Sequence, residues 1–418
     1  MRERFACAVA PLLLALGSPA QSQGIGPRTA PSITAVDTSI TGRLDYRLLV
    51  RALERYRVLA ADSTIPAFAT PSSRAVRLGD SLATVRQLRG RLIAFGDLLD
   101  TAADGPSGRY AGPVVAAVRR FQLRHGLDDD GVIGPKTVAA LQYPLSMRLH
   151  QIELSLDRMR REPPTDGGPF ITVNAAAFRL FAFEGTGTDS APTLDMKVIV
   201  GRAVRTPTPT LAGQLRYLEF RPYWNVPRSI LVKEILPKLR RDAGWLHRES
   251  MELMGQGDVV LGDTVTPETL EALRAGRMRV RQRPGGANPL GLVKFDFPND
   301  SNVYLHDTPS KSLFAAARRD FSHGCIRLER ARDLARWVMR GAPAWNDDSL
   351  DAAMASSVTR RVSVPRAIPV HVGYNTVLAT ADGRVWFMPD IYGRDTKAGN
   401  KASVASLRDD CLPETTGR

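Results

Sequence analysis

The sequence predicts a multidomain α+β protein: a mainly-β domain built on a mixed sheet and carrying a helical lid insertion, plus a small three-helix unit. Three observations carry this. Apolar residues recur at helical spacing as far as about residue 161; from Phe170 the pattern turns to alternation; between Arg228 and Pro284 helical spacing returns before strands resume. With 418 residues, 43% hydrophobic and 24% charged, the chain can bury two or three cores, and its 34 glycines and 29 prolines mark many turns.

Residues 1–22 read as a secretory signal peptide, with a basic MRER, an apolar ACAVAPLLLALG and small residues at the cleavage positions. No later stretch approaches the ~18 apolar residues of a span, so no transmembrane anchor is expected once the leader is removed. Residues 23–75 are a linker and helical scaffold segment. A Ser/Pro/Thr/Gly-rich opening leads into LDYRLLVRALERYRVLA, which sets Tyr46, Leu49, Leu53 and Tyr56 on one face. Residues 76–145 form the three-helix unit. GDS (Gly79–Ser81) offers a cap, LATVRQLRGRLIAFG aligns Leu82, Val85, Leu88 and Leu92, and PVVAAVRRFQLRHG aligns Val114, Val118 and Phe121. A third helix is expected near Pro135. Asp128–Asp130 have no His or Cys beside them, so this is a binding or packing module.

Residues 146–395 are the strand-rich domain. A helix over Met147–Arg161 precedes FITVNAAAFRLFAFEG, LDMKVIVGR and LRYLEFRPYWNVP. A helical insertion at about 229–283 is expected to act as a lid over a cleft. Strands resume at GLVKFDF and NVYLHD, and end with TRRVSVP, IPVHVGYNTVLA and RVWFMPDIYG. Residues 396–418 are a polar tail.

The formal net charge is +14, but the arginines are scattered and not interleaved with aromatics. That disfavours nucleic acid and favours an anionic envelope polymer or membrane surface. Of three cysteines, Cys7 lies in the leader and Cys411 in the polar tail, so a disulfide framework is not expected.

Cys325, in FSHGCIRLER, remains. Upstream, NVYLHD turns Tyr304 and His306 to one face of a strand and Val303 and Leu305 to the other. This predicts an exposed His306 that meets Cys325 after a returning helix at Thr308–Phe321. An imidazolium beside a thiol lowers its pKa and yields an attacking thiolate. Gly324 permits an unusual backbone angle, the Gly324–Cys325 amides could form an oxyanion hole, and a helix from Leu328 could add a positive field. Arg327 suits a substrate carboxylate. Zinc held by His306, His323, Cys325 and Asp307 stays open, though the spacing matches no common site; so does a buried inert thiol. His125, His150, His247 and His371 read as structural.

The segment HDTPSKSLF…FSHGCIRLER resembles the active-site signature of L,D-transpeptidases of the YkuD type. VIVGRAVRTPTPT, FRPYWNVPRSILVKEILPKLRRD, RQRPGGANPLGLVKFDFPN and DIYGRD are similar to the large periplasmic subfamily, and the three-helix unit resembles a type 1 peptidoglycan-binding domain. The resemblance implies a cysteine acyltransferase in the periplasm. Its nucleophile attacks the bond between meso-diaminopimelate and D-Ala in a stem tetrapeptide, releases D-Ala, and passes the acyl group to an amine as a 3→3 crosslink. Carbapenems are expected to acylate the same Cys. The resemblance makes Cys325 the nucleophile and His306 the base, with His323 and Gly324 supporting catalysis. It assigns Arg327, Tyr304, Trp224 and Asn225 to substrate binding, with no metal and no cofactor. A hydrolase using the same thioester and a non-enzymatic wall-binding protein are the alternatives. The expected partner is peptidoglycan, and nothing in the sequence demands assembly.

Overall fold

The computed structural model describes residues 43–69, 75–99, 108–163, 167–185 and 192–399. The expected signal peptide, the first part of the linker, most of the polar tail and Cys411 lie outside the described residues.

Helix α1 (Leu44–Ala61) buries Tyr46, Leu49, Leu53 and Tyr56, the stripe its sequence predicts. Helices α2 (Val85–Ala94), α3 (Pro113–Arg124) and α4 (Pro135–Gln142) close on Leu88, Leu92, Val118, Phe121 and Leu141. Pro113 and Pro135 sit in the first turn of their helices, where a missing N–H leaves no bond unmade. Ser81 does not cap α2, which starts after Thr84, because Ser81 is drawn into an extended bridge with Arg109. Helix α5 (Leu145–Arg160) packs against α1.

Strands β1 (Phe170–Asn174), β2 (Arg179–Phe183), β3 (Leu194–Ile199) and β4 (Leu211–Phe220) lead to an excursion. It runs through β5 (Trp224–Asn225), α6 (Arg228–Ile230), a π-helical turn at Leu231–Ile235, α7 (Leu236–Arg241), α8 (Trp245–Arg248), β6 (Met251–Met254), β7 (Val260–Gly262), α9 (Pro267–Ala275) and β8 (Arg279–Gln282). The chain returns as β9 (Val293–Asp296), β10 (Leu305–His306), β11 (Ile326–Leu328), α10 (Ala331–Met339), α11 (Asp347–Ala355) and β12 (Arg360–Gly373). A hairpin, β13 (Val377–Ala379) and β14 (Val385–Phe387), precedes α12 (Arg394–Gly399).

The expected mixed sheet closes into a barrel ordered β1-β12-β4-β9-β10-β11-β3-β2, with β1/β12 and β10/β11 parallel and the other pairs antiparallel. Leu218, Phe220, Val293, Phe295, Leu305, Ile326 and Leu328 fill its interior with the α10 residues Leu334 and Ala335. The intervening residues Glu219, Lys294, His306 and Arg327 therefore stand on the outer face. Closure removes the exposed edges an open sheet would leave.

The excursion differs from the expected helical insertion. It has its own sheet, ordered β5-β8-β6-β7, and its own core of Leu231, Ile235, Leu239, Leu253 and Val280. Strand β6 is buried at every position, so its sequence MELM shows no alternation to read. The helix expected at Thr308–Phe321 is one 3₁₀ turn, Lys311–Ala315. The rest is pinned as a loop by Arg319, whose guanidinium donates to the carbonyls of Ala316, Ala317, Val198 and Phe178. The prolines at 365 and 369 do not split β12, which runs through both with a bulge between Ser363 and Ile368.

Candidate active site

Strands β10 and β11 run parallel, with Leu305 opposite Ile326 and His306 opposite Arg327. Residues opposite one another share a face, so the core takes Leu305 and Ile326 and the outer face takes His306 and Arg327. One step back, the Ile326 amide donates to the Tyr304 carbonyl at 3.1 Å, and Cys325 stands beside Tyr304. The Cys325 thiol interacts with the Tyr304 hydroxyl and lies 3.8 Å from the Asn302 carbonyl. The Tyr304 and His306 rings are 5.7 Å apart. Tyr304, His306, Cys325 and Arg327 thus gather on one outer strip of the barrel.

His306 is not exposed as the sequence suggests: its accessibility is 4%. Its Nδ1 donates to the Asp307 backbone carbonyl at 2.6 Å, which leaves Nε2 as the basic nitrogen. The Asp307 carboxylate points away, accepting from the Leu292 amide at 2.9 Å and from Lys311 Nζ at 2.7 Å. Burial, then the Arg327 charge, lowers the His306 pKa to about 3, overriding the Asp307 carbonyl and charge and the Pro289 carbonyl. The imidazole is neutral at pH 7. The expected imidazolium that would depress the thiol pKa is therefore absent. Burial instead pushes the Cys325 thiol above its ordinary value, opposed by Tyr304, Lys294 and Arg327. A neutral thiol and a neutral base make proton transfer part of the attack rather than its preliminary. Burial also raises the Tyr304 pKa, keeping the phenol protonated and able to donate.

Gly324 has φ +119°, a conformation that strains any L side chain. Ser322 Oγ accepts from the Gly324 amide at 3.1 Å and donates to the Cys325 carbonyl at 2.5 Å. The Gly324 amide is therefore already engaged, and only the Cys325 amide is left for an oxyanion role. Helix α10 begins at Ala331, beyond β11. Thr208 Oγ1 donates to the Gly324 carbonyl at 2.8 Å. Tyr392, in DIYGRD, accepts from the Thr208 amide at 3.2 Å and donates to the Gly201 carbonyl at 2.7 Å. His323 Nε2 donates to Glu234 Oε1, on the excursion's π turn, at 2.7 Å.

Arg327 Nε is buried with no hydrogen-bond partner among the described residues. Burial and the neighbouring Arg202 make its charge costly, and the Cys325 thiolate relieves it. An anionic group would satisfy both the donor and the charge. Trp224 and Asn225 are not brought to this strip. They pair with Gln282 and Arg281 in the excursion's sheet, where Trp224 packs on that unit's core and Asn225 is exposed.

Sequence reasoning missed Lys294, Thr208, Tyr392 and Glu234. Lys294 lies over the Tyr304 ring at 4.7 Å and helps lower the thiol pKa. The alternation Val293, Lys294, Phe295 was the signal that could have placed it on the His306 face. Among the described residues no group of three His, Cys, Asp or Glu could hold a metal ion, and no helix is long and apolar enough to cross a membrane.

Two family models match the chain: an L,D-transpeptidase catalytic domain of the YkuD type over residues 168–345, and a "Putative peptidoglycan binding domain" over residues 81–141. A "Putative L,D-transpeptidase" of Haemophilus influenzae is 30% identical over 246 residues, covering 59% of this chain and 48% of the relative. The chain thus spans about half the length of the curated relative it matches. An L,D-transpeptidase structure from Stackebrandtia nassauensis has 15% identity and a TM-score of 0.28, covering 73% of this chain and 98% of that one. One from Xylanimonas cellulosilytica has 17% identity and a TM-score of 0.22, covering 73% and 100%. The barrel strip that carries Cys325 and His306 lies within the first match, and α2, α3 and all but the last residue of α4 within the second: residues 168–345 are an L,D-transpeptidase catalytic domain of the YkuD type and residues 81–141 a peptidoglycan-binding domain.

Proposed function

We propose that this protein is a cysteine L,D-transpeptidase acting on peptidoglycan stem tetrapeptides. The observation that carries the reading is the parallel β10/β11 pair, which sets a thiol, an oriented neutral imidazole and a guanidinium whose Nε has no partner among the described residues on one strip. Cys325 Sγ attacks the carbonyl joining meso-diaminopimelate to D-Ala, and His306 Nε2 takes the thiol proton. The C–N bond breaks, and the departing D-Ala amine receives that proton. The side-chain amine of a second meso-diaminopimelate then attacks the thioester, loses a proton to His306, and releases the thiol with a 3→3 crosslink.

In this reading Gly324 shapes the nucleophile turn and His323 supports it. Arg327 binds a donor carboxylate, and Tyr304 donates toward the reacting sulfur. Trp224 and Asn225, at the root of the excursion, belong to the donor's approach. We assign residues 1–22 to a signal peptide, 76–145 to wall binding and 146–395 to catalysis, and the leader-like pattern supports export to the periplasm.

The test follows products by mass after incubation with disaccharide-tetrapeptide. A crosslinked dimer with loss of D-Ala supports the proposal. Tripeptide monomer alone replaces it with a hydrolase, and no product from an enzyme whose Cys325 is reactive removes it.

A further inference from the structure

The chain between β5 and β8 is a body in its own right, with a separate sheet and a separate apolar core. Its stem is the β5/β8 pair. At the root of that stem, Arg283 bonds to Ser250 and Glu252, and Gln282 to Ala287; away from it, this body meets the barrel through His323 Nε2, which donates to Glu234 Oε1 at 2.7 Å. It lands on the turn that carries the nucleophile. Glu234 stands on the π turn, and the reason for that turn lies in the sequence. Pro237 lacks an N–H and its ring crowds the carbonyl four residues back, so the turn before it widens. Leu231, Ile235 and Leu236 stay in the excursion's core while Glu234 faces out, 45% of its side chain exposed. An acidic side chain whose apolar neighbours are committed to one body and whose carboxylate is committed to another is a tie between them.

We propose that Glu234 is a positioning residue for the reaction, holding the excursion down on the nucleophile turn through His323. This rests on the transpeptidase reading. The turn Ser322–Cys325 is then held from two sides, by Thr208 from the barrel and by Glu234 from the excursion. When the tie breaks, the excursion swings on its β5/β8 stem and a large donor loses one side of its seat, while the thiol and His306 keep their places.

The test uses the full chain with Glu234→Ala and Glu234→Gln. Glutamine keeps a carbonyl that accepts from His323 and alanine does not. Two readouts are taken: steady-state turnover of disaccharide-tetrapeptide, and the rate at which a bulky maleimide labels Cys325, located by peptide mapping. A half-exposed hydrogen bond of this kind is worth about a fivefold effect. Glu234→Ala is expected to raise KM and speed labelling by about that factor with kcat within about twofold, and Glu234→Gln to track the parent. Alanine indistinguishable from the parent in both readouts, or a fall in kcat at unchanged KM and labelling, overturns the proposal. If the parent turns over no tetrapeptide, the transpeptidase reading fails, and labelling alone still decides whether Glu234 holds the excursion: faster in the alanine variant supports it, unchanged overturns it.

Discussion

His306 and His323 flank the same thiol in opposite surroundings. His306 is buried on β10, fixed through Nδ1 by a backbone carbonyl and kept neutral by burial and Arg327. His323 is partly exposed on a turn, and its Nε2 is taken by a side chain from another body. The difference separates two jobs. A base needs a fixed ring and no standing charge: a backbone carbonyl fixes the ring, and burial with Arg327 outweighs the Asp307 charge and the carbonyls that would raise its pKa. A residue that ties two bodies needs a reachable partner. Proximity in sequence favours His323; environment favours His306.

The largest expected effect breaks or keeps this contrast directly. His306→Ala should slow acylation by ~10²–10⁴-fold, whereas His323→Ala should cost roughly tenfold or less; single-turnover acylation by a carbapenem measures both, and the reverse order would undo the comparison. Gly324→Ala comes next. At φ +119° an added methyl meets nothing closer than the Thr206 carbonyl at 4.0 Å, so the cost is conformational, about 1–3 kcal/mol by urea unfolding. Arg327→Ala should move two titrations the same way. Removing that positive charge raises the His306 pKa, which it holds down, and raises the Cys325 pKa further, which it opposes. Iodoacetamide labelling across pH reads the thiol, and a downward shift would contradict the assignment.

A separate effect is on acid stability. His306 has a folded pKa near 3 against an ordinary 6.5, and buried His125 is also held well below 6.5. Between those values the unfolded chain binds protons that the folded one refuses, so stability falls as pH drops below about 6.5. The slope is at most about 1.4 kcal/mol per pH unit for each histidine. Urea midpoints at pH 7, 5 and 4 should decline together, and a flat series would mean His306 is not buried neutral.

Much of this was legible in the chain. The α1 stripe from Tyr46 to Tyr56 and the opposition of His306 to Leu305 follow from local periodicity, which a side chain's own neighbours enforce. Barrel closure was not legible, because it depends on β1 meeting β12 from the far end of the sequence. Nor was the burial of His306: alternation says which face a residue takes, not what later covers it. The excursion's sheet was hidden by strands too short or too buried to alternate, such as Met251–Met254. The neutral imidazole was missed for a related reason. The motif shows a His near a Cys, while the charge state is set by burial and by Arg327 across the strand pair.

The central claim is that Cys325 carries the acyl group. Intact-mass analysis of the protein mixed with disaccharide-tetrapeptide and quenched in acid tests it most directly. The account predicts an adduct equal to the donor less D-Ala, mapped to Cys325 and absent from Cys325→Ala. D-Ala release without any adduct, or an adduct that persists in Cys325→Ala, would contradict it.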